Sequence, residues 1–283
     1  MPRPLPKPLK SLARRAQLRC TVPEITDPRS PRERYLTVFG RNPVLEALND
    51  DSLTVANVFV ASDVSRPILR QVEASASRRG LSVQVVTRDK VTRVSGTGKQ
   101  HQGIAADIET PNKASLDQWL GAIDRVPSVA CALLDGITTP ANVGMIIRSA
   151  VAGGVDGVVV PTKGVADLGP LTIKASAGLA FRAPLVRVRT AAEAAQTLTD
   201  NGFSLVELDS EGEVDLWDAE FSDRTALVLG GEHAGISDEV KPLVTSSVRI
   251  PMADGVESLN VAAAAAVVFF ELRRRQVQRR VDH

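Results

Sequence analysis

Three short segments concentrate the residue types that could hold and activate a ligand. In the first, the apolar run 128–134 gives way to Asp135 and then to Ile137-Thr138-Thr139-Pro140-Ala141-Asn142-Val143-Gly144, with Arg148 six residues beyond Asn142. An amide near a helix start can cap the helix or reach a ligand. A guanidinium further along brings a fixed charge and a planar fork of donors, suited to a phosphate or a developing oxyanion. The same residues would also serve as a plain cap and a surface ion pair. The second segment is Gly230-Gly231-Glu232-His233-Ala234-Gly235, where paired glycines after an apolar strand let the backbone approach a ligand closely and Glu232 sits in the same turn. The third, Ile250-Pro251-Met252-Ala253-Asp254-Gly255-Val256-Glu257-Ser258-Leu259-Asn260-Val261-Ala262, ends a strand, turns, and offers Ser258 or Asn260 as the cap of an alanine-rich helix. The glycine spacing of the second segment is not that of a dinucleotide-binding fingerprint. The loop around Gly96, Gly98 and Lys99 is not a phosphate-binding P-loop either, because Arg93 and Gln100 stand where Gly and Ser/Thr are needed.

These segments need elements to position them. Periodicity places a first α/β unit from about Tyr35 to Glu109: a turn and short helix at 40–48, strands at 55–61, 82–86 and 103–108, helices at 66–79 and 87–94, and a polar glycine loop at 95–102. Residues 111–127 read as a linker with a short helical piece around Trp119. A second unit follows. Strands are expected at 128–134, 157–160, 186–188, 204–208, 225–229 and 247–250. Helices are expected at 140–153, 171–180, 191–201, 237–244 and 259–275. Apolar strands alternating with helices imply a mostly parallel sheet covered on both faces, with ligands held outside the strand carboxyl ends, where all three segments lie.

The chain has 283 residues, enough for two domains, and a net charge of +1. Residues 1–34 hold nine Arg/Lys against three acids, leaving 25 against 30 in the remainder, so a basic, proline-rich arm precedes a mildly acidic body. Such an arm suits a polyanion or simple solvation. Cys20 and Cys131 have neither metal-ligand spacing nor the density of a disulfide framework, which fits a reducing cytosol, and no apolar run approaches the roughly 18–20 residues needed to cross a bilayer.

Taken together and in order, Asn142/Gly144/Arg148, Gly230/Glu232/Gly235 and the 250–262 segment resemble the three motifs of the SpoU (TrmH-like) RNA ribose 2′-O-methyltransferases, over roughly residues 128–272. Gly40-Arg41-Asn42-Pro43-Val44-Leu45-Glu46-Ala47-Leu48 and Gln100-His101-Gln102-Gly103-Ile104-Ala105-Ala106 resemble the opening and closing signatures of that family's L30e-like substrate-binding domain. One departure is Gly178-Leu179-Ala180, where relatives show Gly-Ala.

The resemblance implies an α/β fold with an N-terminal L30e-like domain (35–110), a 111–127 linker and a C-terminal SPOUT-type domain (128–283) containing a trefoil knot. It implies a homodimer whose sites take residues from both subunits, acting in the cytoplasm on RNA, with 23S rRNA the nearest substrate class. S-adenosyl-L-methionine would be held by Gly230, Gly231, Gly235, Ile250, Met252 and Leu259, and no metal is called for. Arg148 would be the catalytic cation, with Asn142, Glu232, Ser258 and Asn260 positioning it and the ribose. Arg41, Lys99, Gln100, His101 and Gln102 would face RNA. With only 4% aromatics, Arg and polar contacts must outweigh base stacking. A tRNA methyltransferase, an antibiotic-resistance rRNA methyltransferase and a catalytically idle assembly factor are the competing readings. The intact Asn142, Arg148, Glu232 and Asn260 count against idleness.

Overall fold

A computed structural model describes residues 34–96, 98, 100–110, 112–231, 234–254 and 256–281. Residues 1–33 of the basic arm, Lys99, Glu232, His233 and Gly255 therefore lie outside the described residues.

The first unit runs β1 (Tyr35–Phe39), α1 (Arg41–Asn49), β2 (Val55–Ala61), α2 (Arg66–Ser77), β3 (Val83–Val86), α3 (Arg88–Ser95) and β4 (Ile104–Glu109), with the sheet order β1-β4-β2-β3. β4 pairs antiparallel with both β1 and β2, and β2 pairs parallel with β3. Local chemistry sets the ends of α3: the Thr87 hydroxyl accepts from the Lys90 amide, and Gly96 closes the helix at φ 69°. β1 was not expected as a strand. Its alternation is only five residues long and half-buried, too short to stand out without its partner.

The second unit runs β5 (Ala114–Ser115), α4 (Leu116–Ile123), β6 (Val129–Leu134), α5 (Pro140–Gly153), β7 (Gly157–Pro161), α6 (Pro170–Ala175), β8 (Leu185–Val188), α7 (Ala191–Asp200), β9 (Ser204–Leu208), β10 (Val214–Asp215), β11 (Arg224–Leu229), β12 (Ser246–Arg249) and α8 (Val261–Val281). The sheet order is β10-β12-β9-β11-β6-β7-β8-β5, and every neighbouring pair is parallel. All six residues of β6 are buried, as a strand covered on both faces requires. Ala130, Ala132 and Leu134 join the core under α5 and α8; Val129, Cys131 and Leu133 join the one under α4 and α7. Burial pushes the Cys131 thiol well above its ordinary range.

Glycines let α5 sit close to its neighbours. A Cβ at Gly144 would stand 2.4 Å from the Thr172 carbonyl oxygen on α6, and one at Gly153 would stand 2.9 Å from Phe269 Cβ on α8. The far end of α8 is latched as well. Glu271 accepts from Arg274 Nε (2.7 Å) and Arg275 Nε (2.6 Å), while Arg275 Nη2 donates to the carbonyls of Leu216 (2.7 Å) and Trp217 (3.1 Å).

Three expectations need correction. Residues 111–127 supply β5, which adds to the larger sheet beside β8, and α4, whose Trp119 packs on Gly157 and donates to the Asp156 carbonyl at 3.1 Å; they are part of that sheet's layer. The helix expected at 171–180 stops at Ala175, because Ala177 (φ 51°) and Gly178 (φ 77°) turn left-handed before a single 3-10 turn, Leu179–Phe181. Residues 237–244 form one 3-10 turn, Lys241–Leu243, instead of a helix. Among the described residues no helix is long and apolar enough to cross a membrane.

Candidate active site

The three segments converge at the carboxyl ends of β6 and β11 and the start of α8. Asn142, in the first turn of α5, is buried (4% exposed), and its Oδ1 accepts from Asn260 Nδ2 at 3.1 Å. The Asn260 Oδ1 in turn accepts from the amides of Ala262 (2.9 Å) and Ala263 (3.4 Å), capping α8. Asn260 is thus the cap foreseen for this helix. Asn142 does not cap α5; Thr139 occupies that position.

The glycine loop owes its shape to other backbone. Gly231 and Gly235 exchange hydrogen bonds, Gly231 N to Gly235 O at 2.9 Å and Gly235 N to Gly231 O at 3.0 Å. A Cβ at Gly230 would lie 2.4 Å from the Gly235 carbonyl carbon, and one at Gly231 would lie 2.6 Å from the Gly136 carbonyl oxygen. The space expected beside Gly230 for a ligand is filled by the loop's own return. Asp135 fixes that return, its Oδ2 accepting from the backbone amide and the hydroxyl of Ser237, both at 2.7 Å. Asp135 and Ser237 were not foreseen as partners. A buried acid (7% exposed) ending an apolar strand was the available signal.

Between these loops lies a cleft of about 250 Å³, lined by Gly136, Ile137, Thr138, Thr139, Asn142, Gly231, Ala234 and Val261. Among the described residues its walls carry backbone amides, hydroxyls, one carboxamide and small apolar groups, with no ionisable side chain. That donor set suits a neutral, planar, hydrogen-bonding group such as a nucleobase. The 250–260 segment beside it is open. Ile250 and Met252 are half-buried, whereas Ser258, Val256 (51%) and Leu259 (40%) are exposed. Arg148 is exposed too, and its side chain makes no hydrogen bond or ion pair with the described residues. Six residues apart on a helix are about 120° apart around its axis, so Arg148 points away from the cleft into which Asn142 faces. One chain does not bring these two residues together. Among the described residues no cluster of His, Cys, Asp and Glu could hold a metal ion.

On the first unit, Arg41 and Gln102 do meet: the Arg41 amide donates to Gln102 Oε1 at 3.1 Å, and both residues are exposed, as is Gln100. His101 is a correction. Its ring is completely buried (0% exposed), with Nδ1 accepting from the Gly103 amide at 2.9 Å and Nε2 bonded to Thr92 Oγ1 at 3.0 Å. It ties Thr92 to Gly103 from within and offers no surface to RNA.

The model of the SpoU rRNA methylase family matches residues 130–270, and that for RNA 2′-O ribose methyltransferase substrate binding matches residues 37–114. An uncharacterized tRNA/rRNA methyltransferase of Mycobacterium avium is 34% identical over 274 residues, covering 95% of this chain and 85% of the relative. The chain belongs to the SpoU methyltransferase family. It is an RNA methyltransferase. Another relative, the 23S rRNA (guanosine-2′-O-)-methyltransferase RlmB of Xanthomonas campestris, is 32% identical over 241 residues, covering 85% of this chain and 96% of the relative. Among solved structures, the SpoU methyltransferase AviRb of Streptomyces viridochromogenes, in complex with AdoMet, aligns with a TM-score of 0.60 at 26% identity over 87% of this chain and 92% of that one. A putative TrmH-family RNA methyltransferase of Porphyromonas gingivalis aligns at 0.57 and 28%, over 86% and 91%.

Proposed function

We propose that this SpoU methyltransferase transfers a methyl group from S-adenosylmethionine to the ribose 2′-hydroxyl of a guanosine in 23S rRNA, acting as a homodimer in the cytoplasm. The observation that carries the reading is the Asn142–Asn260 bond, which joins the first and third motif segments beside a cleft whose described lining carries no ionisable side chain. The RlmB relative, matched over nearly its whole length, supports the guanosine and 23S assignment.

The cofactor's sulfonium supplies an already activated methyl group, so the protein's task is alignment and charge control. Gly230, Gly231 and Gly235 shape one wall for it. Ile250, Met252 and Leu259 would cover it from the open segment, with the trefoil crossing of this region part of the proposal. Asn142 and Asn260 fix the helix starts around the ribose, with Glu232 and Ser258 assigned to the same task. Arg148 stabilises the negative charge developing on the 2′-oxygen; a guanidinium, with pKa above about 12, is a poor base and a good cation. Because Arg148 faces away from its own cleft, it would serve the cleft of the partner subunit. Residues 35–110 would select the RNA through Arg41, Gln100, Gln102 and Lys99, and the basic arm, 1–34, would add sequence-blind, salt-dependent affinity.

Mapping ribose methylation in rRNA and tRNA from cells with and without the gene tests this. Loss of one methylated guanosine in 23S rRNA supports the proposal. Loss confined to tRNA would transfer the assignment to tRNA, a target the mycobacterial relative's name allows. No lost methylation in either RNA would sink both.

A further inference from the structure

One largely buried cation, Arg187, lies outside the machinery assigned above. Arg187, on β8, has a side chain only 21% exposed, and its Nη1 is buried without a hydrogen-bond partner among the described residues. Its nearest counter-charge is Asp167, with Nη2 3.8 Å from Oδ1, too far for a hydrogen bond, and the Asp167 side chain is 90% exposed. Burial pulls the guanidinium's pKa down and Asp167 pulls it back up; the group stays charged. A buried charge with open donors is costly and uncommon. The chain's structural arginines do not behave this way. Arg79 spends Nη1 on the carbonyls of Ala47 (3.1 Å) and Asp50 (2.9 Å), and Arg275 spends Nη2 on those of Leu216 and Trp217.

The position of Arg187 suggests what the open donors await. It pairs in register with Val160, at the carboxyl end of the parallel sheet. It lies two residues on from Leu185, so it faces the α5 and α8 side of that sheet, as Leu185 and Val160 do. Two strand spacings, about 10 Å, separate β8 from β6, whose following loop forms the cleft wall. The segment 162–169 bridges that gap: the Thr162 amide donates to the Val188 carbonyl (3.0 Å), and the Ala166 amide donates to the carbonyl of cleft-lining Ile137 (2.9 Å). Lys163, in this segment, and Lys174, on α6, are exposed cations of the same region.

We propose that Arg187 is a ligand for an RNA backbone phosphate beside the cleft, belonging to a nucleotide next to the methylated ribose, and that Asp167 is the placeholder this phosphate displaces. A phosphodiester presents two oxygens to the guanidinium fork. One replaces the solvated, poorly placed carboxylate at Nη2, and the other gives Nη1 the acceptor it lacks once the displacement of Asp167 opens the buried atom. The inference rests on the RNA ribose methyltransferase reading and adds the grip on the neighbouring phosphate.

The test measures binding of 23S rRNA to the full chain across a salt series, with S-adenosylmethionine affinity and thermal stability followed on the same preparations. Arg187→Gln is expected to weaken RNA binding roughly tenfold or more at moderate salt. It should also lower the slope of log affinity against log salt by about one, the signature of one lost phosphate contact, while S-adenosylmethionine binding stays unchanged. Asp167→Asn, at an exposed side chain that burdens folding little, should tighten RNA binding. Arg187→Lys should keep the slope and lose part of the affinity. A wild-type slope in Arg187→Gln, or weakened RNA binding in Asp167→Asn, would overturn the proposal. Should Arg187→Gln not fold, the opposite signs expected for Asp167→Asn and Arg187→Lys still decide the question. A wild-type chain that binds S-adenosylmethionine but no RNA overturns the broader functional reading instead.

Discussion

Glu271 orients Arg275, whose guanidinium ties α8, the helix that begins at the cleft, to the carbonyls of Leu216 and Trp217. Two arginines bonded to its carboxylate hold its pKa near 2, against an ordinary 4.5, with Arg274 the larger influence and burial working the other way. A lowered folded-state pKa means the contribution is complete above pH 4.5 and is lost as pH falls toward 2. A shift of this size corresponds to roughly 3 kcal/mol, and less after allowing for the solvent around the 65%-exposed Arg274 side chain, so about 2 kcal/mol is expected. Asp107 and Glu207 act in the opposite sense. Their pKa values are raised chiefly by burial, so each favours the folded state more as the solution becomes acid. The informative quantity is therefore a difference: urea unfolding of wild type and Glu271→Gln, measured from pH 7 to pH 2.5. Wild type should lead by about 2 kcal/mol at neutral pH and lose that lead below pH 4.5. A lead that persists unchanged to pH 2.5, or never exists, would refute the reasoning.

Arg148→Ala should lose most turnover with cofactor affinity kept, and Asn142→Ala should lose turnover on its own; mixed dimers of the two should regain activity that neither homodimer has. Activity absent from the mixture would mean that each site is built from one chain. Gly144→Ala should destabilise by roughly 1–3 kcal/mol, since its Cβ meets the Thr172 carbonyl at 2.4 Å; an unchanged melting temperature would show that α6 gives way freely. His101→Ala should weaken RNA binding through unfolding of the 96–103 loop, read as faster amide exchange at Gly103. Weakened binding with unchanged exchange would return the ring to the RNA surface.

Local chemistry made much of this legible in the sequence. Pro140 and the Gly153–Gly154 pair bracket α5 where expected, and the apolar run at 128–134 could only be a strand buried on both faces. Tertiary chemistry was hidden. Nothing around His101, flanked by the exposed Gln100 and Gln102, marks it as an enclosed side chain, because its ring is held by Thr92 and the Gly103 amide. The glycines at 230 and 231 announced a close approach, but not that the approaching atoms belong to Gly235 and Gly136. The break after Ala175 depends on left-handed backbone at Ala177, a residue type that gives no warning of it. Within the site, Asn260 was foreseen as a cap and Asn142 as important, while the bond between them spans 118 residues.

The sheet order also sets a schedule for synthesis. β11, made late, lies between β9 and β6 in the centre of the larger sheet. A ribosome that has released β6 must add roughly 95 more residues before the partner for that edge exists, about five to twenty seconds at ordinary bacterial rates. Throughout that interval the nascent chain carries an open, wholly apolar strand edge, the kind of surface that recruits chaperones or other nascent chains. Codon choices that slow translation between 135 and 229 would lengthen this exposure and lower soluble yield, without altering a single residue of the finished enzyme.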